Sequence, residues 1–180
     1  MDWMDTAQAR LRRKNQVLFR PGDELLQPLA RELENANHRA AALWAWELAE
    51  QMAAELTRRH PEDPRPAAAL EESRRWGAGL CTMRPAQRAI LDCHACAKEW
   101  DSPVERALCH GVGQACSVVH TVGHALGGPV YELTALALEL GFPGCREAVE
   151  RRAAWYRERL AYWKQWEPGA DLAWADFMKR

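Results

Sequence analysis

The sequence shows no strand-like alternation of apolar and polar residues, no long apolar run and no excess of either charge sign. Each absence removes a class of protein. With no run of about 18 apolar residues there is no membrane span to read. A net charge of -1 over 180 residues speaks against a strongly basic nucleic-acid binder and against an acidic disordered tail. The charges at Arg10, Arg12, Arg13 and Lys14 are followed by no apolar segment, so no secretory signal is read. The six cysteines are therefore expected to stay reduced in a cytoplasmic setting. Catalytic signatures are missing too. There is no Walker lysine, no G-x-S-x-G, no papain-like or caspase-like cysteine context and no His-Glu-x-x-His helix. The expectation is a protein that is not an enzyme and needs no cofactor.

Charge is also absent locally. Residues 107 to 131 contain no Asp, Glu, Lys or Arg, and such a 25-residue stretch is expected to run through the centre, with 107 to 126 the most buried part. Apolar residues make up 48% of the chain, enough for a sizeable core in one domain of ordinary size.

What is present is helical spacing. Ala41, Ala45, Leu48, Met52 and Leu56 recur in steps of three and four behind Asn37, a candidate N-cap, and the helix should end by His60 ahead of Pro61, Pro64 and Pro66. Pro66 suits the first turn of a second helix that ends at Gly77 or Gly79. Pro85 opens a third, with Ala86, Ala89, Cys93, Cys96 and Trp100 on one face. Asp101 or Ser102 caps a fourth, in which Val104, Leu108, Val112, Ala115, Val119 and Val122 form a continuous stripe up to a break at Gly127-Gly128-Pro129. Further helices are expected at 129–140 and 145–166, the last stopped by Pro168-Gly169, with a short one around 172–178. Helices near 4–19 and 23–35 precede them, parted by Pro21-Gly22. The reading is an all-α, single compact domain of about seven or eight mostly antiparallel helices over residues 1–180, with a core at 37–140, an N-terminal helical extension at 1–36 and C-terminal helices at 145–180.

Two constellations could carry function. The first is a central polar cluster of His94, Cys109, His110, Gln114, His120 and His124. Thiolates and imidazoles are what zinc prefers, but Cys93 and Cys96 sit on an apolar helix face where a reduced thiol is a small hydrophobe. The reading preferred here binds no metal. His120 and His124, one helical turn apart, face the same neighbouring helix and are satisfied by hydrogen bonds within the core. The second is the C-terminal helix, where Arg152, Trp155, Tyr156, Arg159, Tyr162, Trp163 and Trp166 spread beyond one apolar stripe. Exposed aromatics with arginines are the stuff of partner-binding hot spots, though the same residues can cover the ends of a helical core. The glycine-rich runs 110–113 and 123–128 follow no strand and so do not read as a phosphate cradle.

The chain resembles a family of small helical bacterial proteins described as immunity proteins of polymorphic toxin systems, the immunity five-like group. The matching residues are Leu43-Trp44-Ala45 with Ala49-Glu50, His60-Pro61-Glu62-Asp63-Pro64-Arg65-Pro66 before a helix holding Trp76, then His94-Ala95, Gly113-Gln114-Ala115 and the segment His120-Thr121-Val122-Gly123-His124-Ala125-Leu126-Gly127. They span about Leu43 to Leu140. The cysteines at 93, 96, 109 and 116 depart from the alanine or glycine expected there. The resemblance implies an antitoxin-like protein that binds and neutralises a cognate toxin, with no nucleic acid or membrane as partner, and it is compatible with a homo-oligomer. The alternative reading is a small helical metal-binding protein or enzyme built on the central His/Cys cluster.

Overall fold

The computed structural model describes residues 2–166 and 172–179, and among them lie eight α-helices and no strand. The longest, α3 (His38–Arg59), is the axis of the fold. Asn37 caps it by accepting the Ala40 N–H at 2.8 Å. Trp44, Leu48, Ala49, Met52 and Leu56 on α3 are all but solvent-free, although the same helix carries Glu47, Glu50, Glu55, Arg58 and Arg59 on its outer side. Against α3 pack α4 (Arg65–Gly77), α6 (Pro103–Cys116), α7 (Gly127–Leu140) and α8 (Arg146–Trp166). The remaining helix of the central layer, α5 (Met83–Glu99), lies against α4 and α6.

Local chemistry sets most of these ends. Pro66 occupies the first turn of α4, where its missing N–H costs nothing, and Gly79, just beyond the helix, takes the left-handed φ of 75°. Ser102 caps α6 through the Glu105 N–H, again with a proline in the first turn. Gly141 ends α7 with a φ of 69°. The Asp63-Pro64-Arg65 turn is held by charge. The Arg65 guanidinium pairs with Asp63 and with Glu99 on α5, both at 2.6 Å, and the His60 ring stacks on Trp100 at 4.0 Å.

Several expected boundaries move. Helix α1 (Trp3–Arg12) stops seven residues short of Phe19, because Lys14 adopts a left-handed φ of 60° and the chain turns back. Arg10 holds that turn by donating to the Leu18 carbonyl and to Asp23, while the Leu18 N–H donates to Thr134 Oγ1 on α7. Helix α2 (Gln27–Glu34) begins four residues later than expected, which places Pro28 in its first turn rather than its interior. Helix α5 starts at Met83, two residues before Pro85. The expected C-terminal stop at Pro168-Gly169 lies outside the described residues, and the short terminal helix is a 3-10 turn over Asp176–Lys179, anchored where the Ala175 N–H donates to the Gly77 carbonyl.

The correction that matters for function concerns residues 117 to 126. The stripe through Val119 and Val122 does not lie on one helix. Ser117 turns its hydroxyl back to the Gly113 carbonyl at 2.8 Å, and the chain continues as two 3-10 turns, Ser117–Val119 and Val122–His124. Residues 107 to 119 are mostly buried, but His120, Thr121 and Gly123 are exposed, so the charge-free stretch leaves the core after Val119 and does not stay buried as far as residue 126.

The charge-free stretch packs through its glycines. A Cβ on Gly111 would collide with the Met52 sulfur, one on Gly113 with the His94 ring, and one on Gly127 with Gln114. These glycines are spacers that let side chains from facing helices cross α6 and enter α7. A buried relay ties three helices at the same level. Trp46 Nε1–H donates to Ser73 Oγ, and the Ser73 hydroxyl donates to the Cys116 carbonyl, each at 2.8 Å.

Candidate partner-binding face

The residues of the predicted polar cluster separate into three places. His94 comes from α5, Gln114 from the last turn of α6, and His120 and His124 from the 3-10 turns. These four line one cleft of about 250 Å³, walled also by Trp76, Met83, Gln87, Ile90, Leu91 and Ser117. His110 stands behind His94, its ring against Tyr131, and Cys109 is fully buried in the core.

Hydrogen bonding orients the cleft. His94 Nδ1 and His110 Nδ1 lie 2.9 Å apart, so one imidazole donates and the other accepts. Burial and the neighbouring His110 together push the His94 pKa down to about 4, and burial lowers that of His110 as well. At neutral pH the pair is uncharged. His124 Nδ1 lies 3.3 Å from Gln114 Oε1, an arrangement in which the imidazole N–H donates to the amide oxygen. The His120 ring stacks on Trp76 with centroids 6.0 Å apart. His120 is thus exposed and His124 half-buried, which corrects the expectation that both are packed core residues. The physical reason is the helix break, which removes the one-turn relation between them.

Burial holds the core thiols in their protonated form. Burial raises the pKa of Cys93 and Cys109, pushes Cys96 up to about 11 and Cys116 to about 12. Cys93 and Cys96 spend their S–H groups on the Cys109 carbonyl and on Asp63 or the Asp92 carbonyl. Among the described residues no group of three or more His, Cys, Asp or Glu side chains is placed to hold a metal ion.

The cleft opens onto an exposed strip that the sequence pattern had not singled out. Met83 and Leu91 are 44% and 57% exposed, Gln87 lies between them, and Leu80 in the preceding turn is 69% exposed. Positions 83, 87, 91 and 94 follow helical spacing on a face of α5 adjacent to the buried one formed by Ala86, Ile90, Cys93 and Ala97, and Ile90 borders both. Met83 and Leu91, about two turns apart beside the buried face, were legible in the sequence and are the signal that could have found this strip. Among the described residues no Asp, Glu, Lys or Arg lines the cleft. Arg84, Arg88 and Asp92 flank it, the last two paired at 3.2 Å.

The predicted surface on α8 is largely used internally. Tyr156 is fully buried, with its hydroxyl donating to Glu132 at 2.7 Å and its carbonyl accepting Trp44 Nε1–H, so it offers nothing to a partner. Arg152 pairs with Glu132 at 2.6 Å and stacks on Trp155. Arg159 and the Trp163 indole N–H both donate to Glu47 on α3. Tyr162 and Trp166, 42% and 41% exposed, are what α8 shows to solvent among the predicted aromatics. The arginines here dock α8 onto α3 and α7, a role that needs Glu47 and Glu132 and so cannot be read from α8 alone.

The family described as "Imm-5 like putative immunity protein" matches residues 31–162, a span that contains every residue of the cleft and its exposed strip. No curated protein and no solved structure matches the chain. Among the described residues no helix is long and apolar enough to cross a membrane.

Proposed function

We propose that this chain, which belongs to the Imm-5 like immunity protein family, binds a cognate protein toxin in the cytoplasm and neutralises it by surface complementarity, without catalysing a reaction. The family match across residues 31–162 carries the reading. The face around the imidazole cleft supports it. On a protein with 27% charged residues, a contiguous exposed strip of Leu80, Met83, Gln87 and Leu91 beside an uncharged cleft has the composition of an interface core, with Arg84, Arg88 and Asp92 as its polar rim. The glycines beneath it pre-organise the imidazoles, which keeps the ordering cost of binding low.

The test is co-expression with a candidate toxin domain, sought among the genes neighbouring this one. Wild-type protein should restore growth and co-purify with the toxin. Leu91→Arg and Met83→Arg, both exposed, should lose rescue and binding with unchanged thermal stability, and Arg151→Glu on the outer side of α8 should retain both. A wild-type protein that neither rescues nor binds, or face variants that rescue fully, would refute the reading.

A second reading rests on one observation. Nε2 of His94 and of His124 make no hydrogen bond among the described residues, yet both side chains line the same cleft. That leaves two imidazole nitrogens for a small ligand or a metal ion. Elemental analysis of untagged protein tests it, with a metal-to-protein ratio near one as the supporting result.

A further inference from the structure

A larger groove lies on another face, between α3, α4, α8 and the C-terminal segment. Its volume is about 550 Å³, within the range of small-molecule sites, and four of the nine tryptophans line it. Trp46 and Trp174 are stacked, with centroids 5.7 Å apart and planes 9° apart, whereas Trp163 and Trp166 meet nearly edge to face at 85°. The indole rings therefore present π faces in different directions around one space. Two of the indole N–H groups are committed elsewhere, that of Trp46 to Ser73 and that of Trp163 to Glu47. From those two rings the groove is offered chiefly π surface.

Charged groups gather at the groove. Its lining includes Glu47, Glu50 and Arg74, and Arg159 pairs with Glu47, which leaves Glu50 as the carboxylate open to exchange. Glu47 is fixed by Arg159 and Trp163. Among the described residues Glu50 is held by Arg74 alone, at 2.9 Å, with side chains 61% and 43% exposed. An ion pair so open to water contributes little and is readily exchanged for another cation. Indole faces attract cations through their quadrupole, and tryptophan is the strongest of the side chains in this respect.

We propose that this groove binds a small organic cation, a quaternary or alkyl ammonium group on an apolar body. The tryptophan faces surround the cationic head, Glu50 exchanges Arg74 for it, and Leu43 and Leu172 take the apolar part. The site is separate from the imidazole cleft, and most of one wall, Trp163, Trp166, Leu172 and Trp174, lies beyond the residues that the family matches. It can stand or fall without touching the toxin-binding reading.

The experiment is calorimetric titration of the full chain with 4-hydroxyphenyltrimethylammonium and with its uncharged isostere 4-tert-butylphenol. The cation should bind saturably and at least tenfold more tightly than the isostere. Trp166→Ala, at an exposed position, should weaken cation binding about fivefold, the factor corresponding to ~1 kcal/mol of cation–π attraction, with unchanged circular dichroism. Glu50→Gln should weaken it by a similar factor and reduce its salt dependence. No saturable binding, equal binding of the isostere, or wild-type affinity in both variants would overturn the proposal. Equal binding of the two probes would instead mark a plain apolar groove.

Discussion

Substituting Gly113 by alanine separates helix propensity from packing, because the two predict opposite signs. Gly113 lies inside α6 at a φ that any residue can adopt, so propensity alone expects a gain of about 0.5–1 kcal/mol. The structure expects a loss. A Cβ at this position would sit 2.8 Å from Cδ2 of His94 and nearer still to Nε2 and Cε1. The imidazole cannot easily swing clear, since its Nδ1 is hydrogen-bonded to His110. Overpacking costs about 1–3 kcal/mol, and breaking that bond adds about 1, so the net loss should be about 1–3 kcal/mol. For a chain of this length that corresponds to a melting temperature lower by roughly 3–10 °C. Denaturant unfolding monitored by circular dichroism measures the change, and the decisive step is to repeat it in a His94→Ala background. There the obstructing ring is gone, and Gly113→Ala should stabilise by about 0.5–1 kcal/mol. A Gly113→Ala protein at least as stable as wild type, or the same loss with and without the His94 ring, would refute the argument.

Two further outcomes follow from the same geometry. The folded-state pKa of His94 lies near 4, against an ordinary value of 6.5, so the unfolded chain binds the extra proton first as pH falls. Stability attributable to this imidazole is complete above pH 6.5 and declines between about 6.5 and 4. Urea unfolding at pH 7 and 5.5 should show a drop in wild type that is smaller in His94→Asn, and identical drops would contradict it. The burial boundary at residue 120 is equally sharp. Val119→Asp places an unpaired charge where exposure is 0% and should unfold the domain, while Thr121→Asp at an exposed position should melt within a few degrees of wild type. Similar melting of the two variants would show that the chain does not leave the core where the structure places it.

Much of the helix inventory was legible in the sequence, because its signals act within one turn. The Asn37 cap, the first-turn prolines of α4 and α6 and the glycines after α4 and α7 each satisfy or terminate a backbone pattern three or four residues away. The family resemblance was legible for a related reason, since several of its residues, among them Asp63, Arg65, Gly113 and Gly127, lock a turn or leave room for a facing side chain. Other features depended on partners distant in sequence. Helix α1 ends where it does because Leu18 finds Thr134, 116 residues on. The α6 stripe fails at Ser117, whose hydroxyl competes for a helix carbonyl, and that break carries His120 and His124 out of the core and into the cleft with His94. The aromatic and arginine residues of α8 looked like a partner surface, yet Tyr156 and Arg152 are consumed by Glu132, and Arg159 and Trp163 by Glu47. Composition and spacing determine which faces can be buried. Which of two suitable faces meets a complementary carboxylate, and which is left for solvent or a partner, is fixed only when the helices pack.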